Sequence, residues 1–225
     1  IMESTIDVLY EDNHIIAVNK PAGLLSQPTD IENDSLEIRV KAWIKEKYQK
    51  PGNVFVGVVH RLDKPTSGIL IFAKTSKALS RLNQAMRAKE MQKTYCAFVE
   101  GNLKKKEGTL DHFLVHGEHS SYVSDRSDKD AKPARLHYET LKENGKSSLL
   151  QIVLETGRYH QIRCQFSAIG HPIIGDLRYG AKKDQKFLPQ LPPNSVALHH
   201  TKMTLIHPVT KAALCIEAPL PHYFL

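Results

Sequence analysis

Short apolar runs separated by polar turns dominate the chain and predict a sheet-rich fold. The runs at 6–10 and 14–18 flank a polar turn at 11–13, which is the pattern of a β-hairpin. The runs at 54–59 and 69–73 have the length and the β-branched content of buried strands. These four runs therefore place sheet on both sides of a long polar loop.

Later segments continue this strand pattern. The segment 93–100 alternates cleanly and predicts a strand with one well-buried face. The runs at 135–141 and 147–155 flank an Asn-Gly pair at 144–145, a strong signal for a hairpin. The last two predicted strands are 196–206 and 212–218.

Three amphipathic stretches predict helices. Leu36, Val40, Trp43, Ile44 and Lys47 share the first helical face. Asp34 and Glu37 are the candidates for its N-terminal cap. The second stretch, 76–89, has a basic outer face that fits a solvated surface or an RNA contact. The third helix begins near His160 and ends at Gly170.

Two polar segments lack any periodicity. The segment 116–132 is charged and predicts a mobile loop, and 181–194 is a Lys- and Pro-rich loop. Histidines 112, 116 and 119 suggest a metal site, but no cysteine lies near them and no acidic residue has suitable spacing. The sequence therefore predicts no metal.

Composition narrows the class of protein. A chain of 225 residues with 41% hydrophobic residues forms one large domain or two small ones. The net charge of +7 favours a polyanionic partner without distinguishing RNA from DNA. Cys96, Cys164 and Cys215 lie in apolar or helical patterns, which predicts buried, reduced thiols. With no signal peptide and no membrane-spanning run, we expect a cytoplasmic protein.

The polar loop 60–68, between two predicted strands, carries the candidate chemistry. It places Asp63 between Arg61 and Lys64, with His60 at the exit of the first strand. Functional groups concentrate on loops that a rigid scaffold holds. The alternative is that Asp63 makes only a turn hydrogen bond and that Arg61 lies in solvent.

Three sequence blocks resemble the RluA class of pseudouridine synthases. The loop matches HRLDxxTSGxxxxAK, the segment 93–101 matches KxYxAxVxG, and 157–163 matches GRxHQIR. The blocks LYEDNHIIAVNKPAGLLS, GHPIIGDLRYG and ALHHTKMTLIHPVT extend the resemblance over nearly the whole chain. The shorter HRD motif of protein kinases does not fit, because Leu62 breaks its spacing and no DFG follows.

This resemblance implies conversion of uridine to pseudouridine in structured ribosomal or transfer RNA, without cofactor or metal. It also implies an α+β fold: a mixed, mostly antiparallel central sheet in two halves, with helices on the outer faces and a basic cleft. We expect a single catalytic domain over 1–225, acting as a monomer and lacking the accessory RNA-binding domain that often precedes the first block in relatives.

The resemblance assigns roles to individual residues. Asp63 is the catalytic carboxylate and Arg163 pairs with it. Tyr95 stacks on the flipped base and is a candidate to remove the C5 proton. Arg61 fills the position that the uridine leaves, with a phosphate contact as the alternative. The further candidates for RNA contact are His60, Thr66, Lys93 and Gln161.

Two other classes of function fit part of the pattern. A non-catalytic RNA-binding protein explains the charge but does not require an Asp–Arg pair. An enzyme of the nucleoside hydrolase type would free the base instead of retaining it. Release of tritium from 5-tritiated uridine separates the isomerase from both, because forming the C5–C1′ bond expels that hydrogen.

Overall fold

The computed structural model describes residues 5–183 and 191–225. This described part contains three α-helices and eleven β-strands. The chain divides into two compact units. Unit 1 contains Ile1–Met91 and His200–Pro219, and unit 2 contains Gln92–His199 and Leu220–Leu225.

Strand β4 (Ser67–Ala73) forms the centre of unit 1, and all seven of its residues are buried. The hairpin of β1 (Asp7–Glu11) and β2 (Ile15–Lys20) is confirmed, and β2 pairs antiparallel with β4. On the other side of β4 lies β3 (Gly57–Val58), which is shorter than the run 54–59 predicts. The chain therefore enters the candidate loop from a two-residue strand and leaves it into the core.

The last two predicted strands are confirmed as the antiparallel pair β10 (Leu198–Ile206) and β11 (Ala213–Glu217). Strand β10 lies beside β4, where the two backbones approach closely at Gly68 and His200. A Cβ on Gly68, which has φ +116°, would lie 2.4 Å from the His200 carbonyl oxygen. The glycine that follows Thr66-Ser67 is therefore required by the packing of one strand on the other.

Helix α1 (Leu36–Lys47) forms where the apolar pattern predicts it. Its N-cap is Ser35, whose Oγ accepts a hydrogen bond from the Ile38 N–H at 3.3 Å. The predicted caps, Asp34 and Glu37, are therefore wrong: Asp34 precedes the cap, and Glu37 already lies in the first turn.

Helix α2 (Ser76–Arg87) is also confirmed. Its buried residues Ala78 and Leu82 pack in one hydrophobic cluster with Ile69 and Ile71 of β4. Burial of these side chains holds the helix against the strand that follows the candidate loop.

Unit 2 is built on an antiparallel sheet in the order β5-β9-β8-β6-β7. Its strands are β5 (Gln92–Glu100), β6 (Glu107–His116), β7 (Ser121–Ser124), β8 (Lys132–Glu143) and β9 (Ser147–Leu154). The hairpin between β8 and β9 is confirmed, with Gly145 at φ +82° in the turn.

Two predictions for unit 2 are wrong. The segment 116–132 is not a loop throughout, because β7 pairs with the end of β6 inside it. Strand β5 is buried on both faces, since Cys96 is 6% exposed and Tyr95 on the opposite face is 7% exposed.

Helix α3 (Gln161–Ala168) begins after His160, as predicted. His160 has φ 54° and supplies no side-chain cap, so a left-handed residue starts this helix. The buried Gln165 amide donates to the Ala134 carbonyl at 3.2 Å and to the Leu110 carbonyl at 3.3 Å. These bonds fix α3 against β6 and β8.

The remaining predictions concern the cysteines, the predicted loop 181–194 and membrane-spanning segments. Cys96 and Cys164 are free and buried as predicted, whereas Cys215 is exposed on β11, so that prediction is wrong. Within the predicted loop 181–194, residues 184–190 lie outside the described residues. None of the helices in the described residues is long and apolar enough to cross a bilayer.

Candidate active site

The loop between β3 and β4 presents Asp63 at the surface of unit 1. Asp63 is partly exposed and Arg61 is exposed, while Leu62 between them is buried. The Thr66 N–H donates to the Asp63 carbonyl at 2.9 Å, which closes a turn. The buried Leu62 side chain therefore lies between two side chains that are accessible to solvent.

Ser26 fixes the residue before Asp63. Its buried hydroxyl donates to the Leu62 carbonyl at 2.7 Å and accepts the Leu62 N–H at 3.0 Å. Both backbone groups of Leu62 are therefore paired with one side chain, which restricts the backbone on the N-terminal side of Asp63.

Lys20 fixes the residue after Asp63. The Lys20 side chain is fully buried, and its Nζ donates to the carbonyls of Leu24 at 2.6 Å, Pro21 at 3.0 Å and Lys64 at 3.1 Å. The same Lys64 carbonyl also accepts the Gly23 N–H at 2.8 Å. The end of β2 and the segment after it therefore hold the candidate loop through Lys20 Nζ and the Gly23 N–H.

The environment of Lys20 lowers the pKa of its side chain. Burial lowers the pKa of Lys20 to about 7; the Asp63 carboxylate opposes this fall and the Lys64 ammonium adds to it. Near neutral pH the Lys20 side chain therefore loses its proton far more readily than an exposed lysine does.

His60 and Thr66, two predicted RNA contacts, flank this loop. His60 Nε2 accepts the Ile71 N–H at 3.1 Å, so the ring pins the start of the loop to β4. This bond favours a structural role for His60. Thr66 is 2% exposed, and its hydroxyl has no hydrogen-bond partner among the described residues. Its contact with RNA stays a prediction.

In unit 2, Tyr95 and Lys93 lie two residues apart on β5 and so share a face of the strand. A Cβ on Gly157 would lie 2.9 Å from Lys93 Nζ, so this glycine leaves room for the lysine. Burial lowers the pKa of Lys93. The second and third motif blocks therefore meet around this ammonium.

Arg163 is buried in the first turn of α3 and forms a two-pronged ion pair with Asp176. Nε lies 2.7 Å from one carboxylate oxygen and Nη2 lies 2.9 Å from the other. The guanidinium carbon is 5.1 Å from the ring centre of Tyr179. This two-pronged geometry fixes the plane of the guanidinium.

Gln161 is buried within its own loop. Its Oε1 accepts from Thr156 Oγ1 at 2.8 Å and from the Arg158 N–H at 3.0 Å. Its Nε2 donates to the Arg135 carbonyl at 3.2 Å. Because these bonds use both ends of the amide, they favour a structural role over the predicted RNA contact.

The eight candidate residues therefore fall into two groups. Unit 1 carries His60, Arg61, Asp63 and Thr66 on one loop, and unit 2 carries Lys93, Tyr95, Gln161 and Arg163 on β5 and α3. The pairing of Asp63 with Arg163 stays a prediction. In the described residues, no three His, Cys, Asp or Glu side chains are placed to hold a metal ion.

Sequence reasoning missed three residues of these sites: Lys20, Ser26 and Asp176. Each lies in a block that resembles the family, at NKPAGLLS for the first two and at GHPIIGDLRYG for the third. The available signal was a charged or polar residue inside such a block, next to apolar residues that predict burial.

The comparison with known proteins agrees with this architecture. Residues 14–168 match the family described as RNA pseudouridylate synthase. The chain is 35% identical over 96% of its length to ribosomal large subunit pseudouridine synthase D of Nitrosomonas europaea, and covers 62% of that protein. It is 33% identical over 95% of its length to tRNA pseudouridine synthase C of Yersinia pestis, and covers 86% of it.

A solved structure supports the fold. Human RNA Pseudouridylate Synthase Domain Containing 4 superposes with a TM-score of 0.81 at 22% identity, over 97% of this chain and 90% of that one. The chain therefore belongs to the RNA pseudouridylate synthase family, and its activity is that of an isomerase acting on uridine in RNA.

Proposed function

We propose that Asp63 is the nucleophile of this isomerase and that its substrate is structured ribosomal or transfer RNA. The observation that carries the assignment is the clamping of its loop: Ser26 holds Leu62 and Lys20 holds Lys64, on either side of a partly exposed carboxylate. A nucleophile must be held in place and remain accessible to substrate. The loop meets both demands.

The chemistry needs an ionised carboxylate and no external reagent. Asp63 attacks C6 of the base or C1′ of the ribose, and the bond between N1 and C1′ breaks. The base turns, C5 bonds to C1′, the bond to Asp63 breaks, and the C5 proton leaves while N1 gains one. Since this rearranges one substrate without net oxidation, the reaction as written needs no redox cofactor, and we propose that it uses no metal.

Arg163 orients Asp63 in this proposal. Asp176 holds Nε and Nη2 of the Arg163 guanidinium, which fixes the plane of the group. An opposite charge a few ångströms from Asp63 favours its ionised form. Arg163→Met should then lose most of its activity.

Tyr95 and Arg61 act on the extruded uridine. The flat ring of Tyr95 stacks on the flipped base, and its hydroxyl is a candidate to take the C5 proton. Arg61, exposed two residues before Asp63, fills the space that the base leaves in the RNA. If Tyr95→Phe keeps full product formation, only the stacking role stands.

The test is tritium release from RNA that carries 5-tritiated uridine. Asp63→Asn keeps the size of the side chain but removes its charge, so we expect no release above background. Asp130→Asn, an exposed residue of unit 2, is the control and should turn over normally. Turnover by Asp63→Asn at the rate of the unmodified protein would overturn the assignment.

The same assay separates the rival functions. A non-catalytic RNA-binding protein would release no tritium with or without Asp63, and a hydrolase would release free uracil that chromatography detects. The printed names of the relatives support ribosomal or transfer RNA as substrate. Mapping pseudouridine across total RNA with and without the protein identifies the target. We further propose a monomeric, cytoplasmic enzyme, which gel filtration and fractionation would test.

A further inference from the structure

Three aromatic rings stack on one another at the surface of unit 2. The rings of His116 and Tyr159 lie 4.1 Å apart with 30° between their planes. The rings of Tyr159 and His160 lie 3.8 Å apart with 21° between their planes. His116 at the end of β6 is exposed, Tyr159 is half-buried and His160 is buried. The stack therefore runs from the surface inward, with His116 as its outermost ring.

The inner end of this stack is fixed by hydrogen bonds. His160 Nδ1 lies 2.8 Å from the Tyr179 hydroxyl oxygen, which accepts the Ser121 N–H at 2.9 Å. Burial raises the pKa of Tyr179 to about 12, so its hydroxyl keeps its proton. Ser121 Oγ also donates to the Tyr159 carbonyl at 2.6 Å. The stack is therefore held before any ligand arrives.

Two arginines lie close to the stack. Arg178 Nη1 donates to the His119 carbonyl at 2.7 Å, in the turn that follows His116. Arg158 precedes Tyr159, and its Nε donates to the Pro133 carbonyl at 2.8 Å. Each guanidinium keeps further N–H donors at the surface, where they suit phosphate oxygens.

We propose that the exposed ring of His116 is a stacking site for an unpaired nucleobase of the RNA substrate, with Arg158 and Arg178 contacting the flanking phosphates. Aromatic rings bind single-stranded nucleic acid because every base has a flat face. The outermost ring of the stack is exposed and two arginines lie close to the stack, a combination that suits the base and the phosphates of an unpaired nucleotide. The inference rests on the proposed RNA substrate. It gives unit 2 a binding contact with unpaired nucleotides of that RNA.

The test is equilibrium binding, which does not depend on catalysis. The probes are a fluorescein-labelled oligouridylate of 12 nucleotides and a blunt RNA duplex of 12 base pairs. His116→Ala should weaken binding of the oligouridylate by about 5- to 100-fold, which is the range for loss of one base–aromatic stack. It should leave duplex binding unchanged, because a duplex offers no unpaired base.

Two variants make the test specific. His116→Phe keeps a flat ring and should restore binding of the oligouridylate. His119→Ala removes an exposed histidine of the same turn, which stacks on no other ring among the described residues. This variant should bind both probes normally. Normal oligouridylate binding by His116→Ala, or equal losses on both probes, would overturn the proposal. Tritium release by Asp63 variants reports on the proposed function separately.

Discussion

At the scale of single residues, the most unusual group is the buried ammonium of Lys20. A buried lysine resists protonation, and here burial lowers its pKa from 10.5 to about 7. In the unfolded chain the pKa returns to its ordinary value. Between pH 7 and 10 Lys20 therefore binds more protons in the unfolded state than in the folded state, and its contribution to stability rises with pH.

Lys20→Met removes this dependence. The variant loses three hydrogen bonds and is less stable than the unmodified protein, but the difference in free energy of unfolding should widen as pH rises from 7 to 9. The slope has an upper limit of about 1.4 kcal/mol per pH unit. Urea unfolding of both proteins at several pH values measures it, and titrations elsewhere cancel in the difference. A difference that stays constant would show that Lys20 keeps its proton throughout this range.

The Arg163–Asp176 pair gives a second prediction for single residues. Asp176→Asn removes a negative charge from beside a buried guanidinium, which costs about 3–5 kcal/mol of stability. Because the guanidinium also loses its orientation, kcat should fall while folded protein remains. Denaturant unfolding and tritium release measure the two effects.

The chain contains a matched control for this pair. Arg39 and Asp34 form the same two-pronged pair at 2.7 and 3.0 Å, but both side chains are exposed. Asp34→Asn should therefore cost less than about 1 kcal/mol and leave kcat unchanged. Equal costs for Asp34→Asn and Asp176→Asn would contradict the role of burial.

At the scale of elements, the contact between β4 and β10 fixes how the catalytic loop ends. A methyl group on Gly68 would lie 2.4 Å from the His200 carbonyl oxygen and 2.5 Å from its nitrogen, so Gly68→Ala must push two strands apart. We expect a loss of stability above about 3 kcal/mol, together with lost activity, since several buried contacts shift at once. Thermal unfolding and tritium release measure both.

Gly145→Ala is the matched control for this prediction. Gly145 also has a positive φ, +82°, but a Cβ there would meet nothing within 4 Å. Its substitution should cost about 1 kcal/mol from backbone strain alone. If both glycine variants were equally stable, close packing at Gly68 would not be the reason for the glycine.

Sequence patterns predicted those elements whose own residues indicate their secondary structure. Strand β4 is a run of buried apolar residues, and the turn of the β8–β9 hairpin contains Asn-Gly. Strand β7 has four residues flanked by charged turns, and it becomes a strand only because β6 pairs with it. For α1, Asp34 and Ser35 are equally suitable caps by residue type, and the exact turn of the chain selects Ser35.

The candidate site also contains residues that the sequence indicates and residues that only the fold brings in. Motif blocks pointed to Asp63, Tyr95 and Arg163. The residues that hold the loop of Asp63 and the side chain of Arg163 were missed. Lys20 is a residue type that is almost always at the surface, so the residue type argues against the burial that its apolar neighbours indicate. Asp176 pairs with Arg163 across thirteen positions, and only the fold brings the two together.

At the scale of the whole molecule, the net charge of +7 predicts how RNA binding responds to salt. Each phosphate neutralised by a lysine or arginine releases counterions, so log Kd should rise linearly with log salt concentration. The slope counts the phosphate contacts, at about 0.7 to 0.9 per contact. Filter binding of a structured substrate RNA between 50 and 300 mM salt measures this slope.

The salt slope also decides what Arg61 does. If Arg61 contacts a phosphate, Arg61→Ala should lower the slope by about one and weaken all RNAs alike. If it fills the space of the extruded uridine, the slope should hardly change. The loss of kcat/KM should then be larger on a folded stem-loop than on an unstructured RNA of the same sequence, because only the folded RNA must be unstacked. We expect the second outcome, since Arg61 lies on the clamped loop two residues from Asp63 and is exposed. Equal losses on both RNAs, with a lower slope, would assign Arg61 to the phosphate backbone.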